Sequence, residues 1–151
     1  MTTHFFDNWF AKTFLFPNYG AITLFGLSFY QRPKEKVSET SINHESIHQV
    51  QQVECMVLGG IISLILACFI GLTWWLLLPP LAFFYVWYLL ETFIAYFFNM
   101  FNNTHAYYTL AFEMEAYDND QNLNYLLERK RLWWFHYLGD VKYDDNNKKL
   151  R

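Results

Sequence analysis

Charge is scarce in this chain: Asp, Glu, Lys and Arg make up 17% of its 151 residues, against about 25% in ordinary soluble domains. A surface so thin in charge does not suit a free-standing soluble globule. Glycine and proline are sparse too, at six and four residues, and no low-complexity run occurs, which excludes a linker, a collagen-like chain and a disordered tail. There is no basic excess either. A net charge of −3 and a pI near 5.9 provide none of the clustered positive surface that displaces counterions, so nucleic acid is excluded as a partner. The two cysteines, Cys55 and Cys68, sit at or inside an apolar stretch and read as small buried hydrophobes rather than a disulfide framework. Asp7, Asn8, Lys12 and Pro17 interrupt the first 30 residues, which therefore lack the unbroken apolar run of a cleaved export signal.

Apolar side chains are abundant instead, and they gather into two runs. Met56 to Leu78 is 23 residues without a charge, roughly 34 Å as a helix and enough to cross about 30 Å of hydrocarbon. Pro79-Pro80 predicts a tight turn, because proline lacks a donor N–H and restricts the residue before it. Leu81 to Phe101 supplies a second span of 21 residues with one charge, Glu91. The expected fold is mostly α and integral to a membrane, built on a two-helix transmembrane hairpin. Trp74 and Trp75 suit an interfacial aromatic belt at the turn, and Trp133 and Trp134 suit the opposite interface. All eleven Lys and Arg lie outside the hairpin, so the positive-inside rule puts both termini in the cytoplasm.

A single domain, 1–151, divides along these lines. Residues 1–40 form an interfacial segment, with an amphipathic helix from Phe5 to Phe16 and a short β element, strand or hairpin edge, from Ala21 to Tyr30. Residues 41–78 join a motif helix, capped by Ser38 or Ser41, to the first span. The second span is 81–101, and the asparagine-rich stretch Asn99 to Thr104 is a loop. Residues 104–131 form a helix with Glu113 and Glu115 in its first half and basic residues in its last turn, as the dipole favours. Residues 132–151 are an interfacial segment and a tail that turns polar from Gly139. Arg129-Lys130-Arg131 ahead of Trp133-Trp134-Phe135 reads as a helix end lying on an anionic membrane surface.

The chemistry lies in His44-Glu45-Ser46-Ile47-His48. This is an H-E-x-x-H sequence, which sets two histidines one turn apart on one helix face to bind a single Zn²⁺, with Glu45 within reach of the metal-bound water as catalytic base. With five His in the chain, a chance match has a probability of roughly 1%. A catalytic zinc also needs a third protein ligand. Glu113, Glu115, Asp118 and His105 all return to the membrane face that carries His44 and His48. Glu91 does not, lying about 15 Å of helix from either end of its span. Glu113 and Glu115 project about 200° apart, so only one of them can be the ligand. Gln51 continues the histidine face and can orient a ligand or line the site. Cys55, two turns or about 10 Å beyond His48, is poorly placed as a ligand. Glu54, on another face, is free to pair with Arg or Lys of the C-terminal segment. His105, Tyr117 and His136 are candidates to stabilise an oxyanion.

An H-E-x-x-H helix followed by a second helix bearing a glutamate resembles the gluzincin metallopeptidases. With Glu113-Met114-Glu115-Ala116 some 65 residues after His48, the order resembles membrane-embedded CAAX-type endopeptidases. That resemblance implies Glu113 as the third ligand and Ala116 as the small residue that lets two helices approach. Tyr117 stands where the group has Asp, which leaves Asp118 or Asp120 to support a metal-binding histidine. The stretches Ile42 to Gln52 and Phe112 to Tyr117 also look like a group of small bacterial membrane proteins. The expectation is a zinc-dependent hydrolase of a bacterial inner membrane, its metal site facing the cytoplasm. Its partners are the lipid bilayer and a peptide or other carbonyl-containing substrate. A non-catalytic metal-binding scaffold and a lipid or amide hydrolase are the alternatives. Only Ala21 to Tyr30 can hold a substrate backbone, and a homo-oligomer can complete the cleft.

Overall fold

The computed structural model describes residues 2–15, 19–98 and 103–139, with the backbone alone for 103–105. The N-terminal part is built on a sheet more than on a helix. Strand β1 (Thr3–Phe5) runs parallel to β3 (Leu27–Tyr30), which is antiparallel to β2 (Ala21–Leu24), in the order β1-β3-β2. The β2–β3 hairpin turns on Phe25 and Gly26, both at positive φ (52° and 75°), the two-residue geometry whose twist matches that of the strands. The helix expected from Phe5 to Phe16 shrinks to α1 (Trp9–Phe14), capped by the side chain of Asn8. The sheet claims its first residue: Phe5 pairs with Phe29 in the ladder and stacks on it at 5.2 Å. Phe16 lies outside the described residues.

Helix α2 (Glu39–Ile70) begins at Ser38, whose hydroxyl accepts the Ser41 N–H, so Ser38 is the cap. The apolar run does not continue unbroken to Leu78. It stops at Ile70, where Gly71 takes φ 75°, a conformation that costs glycine little and other residues more. A 3-10 turn (Trp74–Leu77) leads into α3 (Leu78–Phe98). Pro79 and Pro80 therefore start the second helix rather than break the first. First-turn N–H groups have no intrahelical acceptor, so proline is tolerated there. The two helices touch at Gly59, where a Cβ would lie 2.3 Å from the Pro79 carbonyl oxygen. Below that point Ser63 donates to the Leu76 carbonyl at 2.6 Å. Both helices are long and apolar enough to cross a membrane. Most of their apolar surface is uncovered: α3 buries only Phe84 and Ala95, while Leu64, Phe69 and Leu89 are about two-thirds exposed or more.

The single helix expected over 104–131 is three: α4 (Asn103–Tyr108), α5 (Ala111–Asn119) and α6 (Tyr125–Glu128). Tertiary contacts set the breaks. Ala106 packs with Ala95 and Leu110, and Glu91 Oε1 accepts the Ala111 N–H at 2.8 Å, the first free donor of α5. After α5, Asn43 Nδ2 donates to the carbonyls of Asn119, Asp120 and Asn122 and curls the chain back. The C-terminal basic and aromatic stretch does not lie flat on a surface. Arg129 is buried between Glu54 and Glu115. Trp134, in a 3-10 turn (Trp133–Tyr137), is fully buried against Phe112 (4.6 Å) and Trp87 (5.8 Å). Aromatic packing outcompetes an interfacial place for Trp134. The tail beyond Gly139 lies outside the described residues.

Candidate metal centre

The first half of α2 buries polar groups: Asn43, Ser46, His48, Gln49, Gln51 and Gln52. Buried polar atoms are costly without partners, and here the sheet, α5 and the C-terminal turn supply them. His44 Nε2 and His48 Nε2 stand 3.1 Å apart, and Glu113 Oε2 stands 3.7 and 3.6 Å from them. These three residues can hold a metal ion. His44 and His48 meet because i and i+4 share a helix face. Glu113 faces them from α5, which Glu91 and Asn43 tie down at its two ends.

An outer ring fixes this triangle. His48 Nδ1 meets Gln51 Oε1 at 2.7 Å. Gln51 Nε2 donates in turn to Glu115 Oε2 (2.9 Å) and the Phe112 carbonyl (3.1 Å), which makes Gln51 Oε1 the acceptor. The proton therefore sits on His48 Nδ1 and leaves Nε2 as a lone-pair donor to the centre. His44 Nδ1 is 3.6 Å from Asp120 Oδ2. Glu113 accepts hydroxyls from Tyr107 (Oε2, 2.8 Å) and Tyr88 (Oε1, 3.2 Å).

Charge within the triangle is strongly coupled. Burial opposes a positive His44, but Asp120, Glu113 and Glu45 outweigh it and raise its pKa to about 9. His48 is also raised, with Glu113 overcoming burial. Burial would lift Glu113, yet His48 and His44 hold it well below the ordinary carboxylate range. Burial and the Glu113 charge keep the Tyr107 phenol protonated far above neutral pH. Without a metal, the carboxylates at 3.6–3.7 Å favour charged imidazoles.

Glu45 is fixed from the sheet side. Its Oε2 accepts the Thr23 hydroxyl at 2.6 Å. Because Thr23 spends its proton there, Ser28 donates to Thr23 (2.7 Å), and Gln49 Nε2 donates to Ser28 (2.6 Å). Three donors thus point in series at the carboxylate. Glu45, His44 and Asp120 line an open cleft of about 600 Å³ together with Tyr107, Tyr117 and Ala21.

The other expected candidates separate clearly. Glu115 is not a ligand: it is fully buried and bound by Arg129, Tyr125 and Gln51, the acid that orients the Gln51 amide. Asp120, not the exposed Asp118, is the acid beside a histidine of the triangle, His44. Tyr117 packs its ring 4.6 Å from that of His44 and lines the cleft. His136 is exposed, stacks on Trp133 at 3.8 Å and is not among the cleft residues. The side chain of His105 lies outside the described residues. Cys55 is buried in the apolar core, away from the triangle. Glu54 does pair with a C-terminal basic residue, Arg129, through both oxygens (2.7 and 2.9 Å). Glu91 is not a ligand, but it is not remote either, since Ala111, its bonding partner, lies two residues before Glu113. The reading of the chain as a plain hairpin hid this, because α4 and α5 fold back down along α3.

Four contributors carried no motif: Tyr107, Tyr88, Thr23 and Asn43. Only Tyr107 had a usable sequence signal, a hydroxyl six residues ahead of Glu113 beyond a helix break. Neither a family model, nor a curated protein, nor a solved structure matches the chain.

Proposed function

We propose that the chain is a membrane-integral, zinc-dependent hydrolase that acts on peptides, in keeping with its resemblance to gluzincin metallopeptidases. The triangle of His44, His48 and Glu113 carries the reading. Ligands held tetrahedrally at about 2.0–2.1 Å from zinc stand about 3.3 Å from one another, and separations of 3.1, 3.6 and 3.7 Å bracket that value. Two imidazoles with one carboxylate, of which His44 lines the open cleft beside Glu45, match a catalytic donor set better than a closed structural one. A zinc ion there supplies a Lewis acid for the substrate carbonyl and acidifies a water.

The protein's own groups do the rest. Glu45, one oxygen fixed by Thr23, takes the proton of the attacking water and hands it to the leaving nitrogen. Tyr107, whose hydroxyl touches the ligating oxygen of Glu113, holds that carboxylate in place. Strand β2 favours a peptide over a lipid ester. It is an edge strand, and with Leu24 and Leu27 closing the hairpin, the antiparallel ladder turns the N–H and C=O of Ala21 and Thr23 outward. Gln52 occupies the Thr23 carbonyl, while Ala21 borders the cleft, where an extended backbone can add to the edge.

The uncovered apolar faces of α2 and α3 support insertion in a bilayer. The absence of Lys and Arg between Met56 and Phe101 supports cytoplasmic termini and a cytoplasmic approach to the site. Tyr88, which bonds Glu113, is midway along α3, roughly 15 Å from either end. A centre packed against the apolar helix α3 suits substrates held at the membrane.

The test is metal content followed by turnover. Detergent-purified protein is expected to carry about one Zn²⁺ per chain, absent from His44→Ala and His48→Ala. Glu45→Gln is expected to keep the zinc and lose hydrolysis by about 10²-fold or more, read as membrane peptides that accumulate in cells carrying that variant. Zinc retained by both histidine variants would sink the site, and unchanged peptide profiles in Glu45→Gln would leave a metal-binding scaffold.

A further inference from the structure

A second cavity, about 570 Å³, shares no lining residue with the metal cleft. Its floor is the side of α2 roughly opposite His44 and His48: Val53, Val57 and Ile61, one residue per turn, each about half exposed. That stripe is about 12 Å long and runs on into the uncovered apolar surface of Leu64 and Ile65. Arg131 and Leu132 form part of the wall. The Leu132 N–H donates to Glu54 Oε1 at 2.7 Å, which sets Arg131 at the upper, polar end of the stripe, two turns above Ile61.

The acid at that end is already engaged. Glu54 is the one acid among the described lining residues, and both its oxygens are held by Arg129, which it shares with Glu115. Among the described residues Arg131 has no carboxylate partner. A cation at the head of an apolar groove that opens downward onto a lipid-facing helix matches one occupant in both charge and orientation. We propose that the groove seats an anionic phospholipid of the surrounding bilayer, its acyl chain along Val53, Val57 and Ile61 and its phosphate on Arg131. Guanidinium suits phosphate because its planar donors engage two oxygens at once. A peptide helix or a second copy of the chain would fill the floor but leave Arg131 without an anion. The proposal rests on the membrane-inserted part of the reading above and is independent of the metal.

Native mass spectrometry of the full chain in mild detergent, titrated with phosphatidylglycerol or with phosphatidylcholine of the same acyl chains, tests it. One phosphatidylglycerol is expected to bind, favoured about fivefold over phosphatidylcholine, the size of one basic residue acting on an anionic lipid. Arg131→Gln is expected to erase the preference, Arg131→Lys to keep most of it, and Val57→Trp to block both lipids by filling the floor. Circular dichroism of each variant guards against misfolding. Equal binding of the two lipids by the unmodified chain, or a preference that survives Arg131→Gln, overturns the proposal. A dimer that Val57→Trp dissolves also overturns it, by putting a second copy in the groove. Release of the chain from membranes by alkaline carbonate would instead defeat the inserted reading on which it stands, whatever the zinc content.

Discussion

From Asn43 to Cys55 the long helix α2 buries asparagine, serine, histidine and glutamine, whereas from Ile61 to Ile70 it exposes isoleucine, leucine and phenylalanine. One continuous helix thus reverses the usual inside-out rule twice. In its first half the polar groups are inside because each finds a fixed partner on another element: Asn43 on the turn after α5, Gln49 on β1 and β3, Gln51 on α5, Gln52 on the hairpin. In its second half the apolar groups are outside because only α3 and the short turn ahead of it cover one side. The first half is held by directed bonds and ion pairs that specify geometry, and the second by close backbone approach. Chemistry that needs side chains fixed to a few tenths of an ångström belongs to the first.

The largest expected effect breaks the polar half. Arg129 joins Glu54 and Glu115, and its side chain is 2% exposed. Replacing it with Met leaves two buried carboxylates without their cation, at a cost of about 3–5 kcal/mol. Unfolding of the Arg129→Met variant in detergent is expected to show that loss. Hydrogen exchange should localise it to the sheet, α5 and the first half of α2, sparing the second half. Uniform loss of protection along the whole of α2 would mean that the two halves are one cooperative unit.

The next breaks the apolar half. A methyl at Gly59 would strike the Pro79 carbonyl at 2.3 Å, whereas at Gly60 it would meet nothing within 4 Å. Gly59→Ala is expected to destabilise by about 1–3 kcal/mol as the helices are forced apart. Gly60→Ala should be neutral or stabilising by up to about 1 kcal/mol, the difference in helix propensity. Thermal melts of the pair in one detergent decide it.

Much of this division is legible in the sequence, and the rest is not, for identifiable reasons. His44, Glu45 and His48 are found from spacing, because a single helix turn fixes which side chains meet, whereas Glu113 comes from the resemblance to gluzincins and not from spacing. The outer ring is invisible to spacing, because Thr23, Tyr88 and Tyr107 reach the site from three elements whose approach depends on tertiary folding. The position of Pro79-Pro80 misleads for a simpler reason: proline marks a helix start as well as a helix end, and Gly71 had already ended α2. The helix over 104–131 fails because its breaks are made by partners far away in the chain, Glu91 and Asn43. The meeting of Glu113 with Tyr88, finally, depends on α4 and α5 folding back along α3, which no local pattern announces.

A smaller effect sharpens the contrast inside the polar half. Thr23→Val removes the hydroxyl that links Ser28 to Glu45, while Thr23→Ser keeps it. A lost hydrogen bond to a carboxylate with a hydroxyl stranded behind it costs roughly 1–2 kcal/mol. Thr23→Val should therefore keep its metal, lose modest stability and lose hydrolysis out of proportion to that stability, while Thr23→Ser restores both. Parallel losses in stability and turnover across the two variants would make the chain of hydroxyls structural only.

The smallest effect is a matter of protons and separates the metal-free from the metal-loaded state of the same half. His44 has its pKa raised to about 9 from an unfolded value of about 6.5, so its contribution to metal-free stability is full below about pH 6.5 and is lost as pH rises through 9. Glu113 is shifted the other way: its contribution is present above its unfolded value of about 4.3 and is lost as pH falls toward its depressed folded value. The metal-free cluster is therefore firmest between about pH 5 and 6.5 and loosens on the alkaline side. A metal requires the opposite, a neutral imidazole, so binding must expel a proton wherever His44 still carries one. Isothermal titration with Zn²⁺ in buffers of different ionisation enthalpy is expected to report protons released near pH 7.5, from His44 and from His48, whose pKa is raised as well, and fewer as pH rises past 9. Apparent zinc affinity should climb over the same interval. In His44→Gln the His44 share of that release should vanish along with most of the affinity, because the proton displaced and the ligand position occupied belong to one nitrogen, Nε2, the atom that faces Glu113 at 3.7 Å.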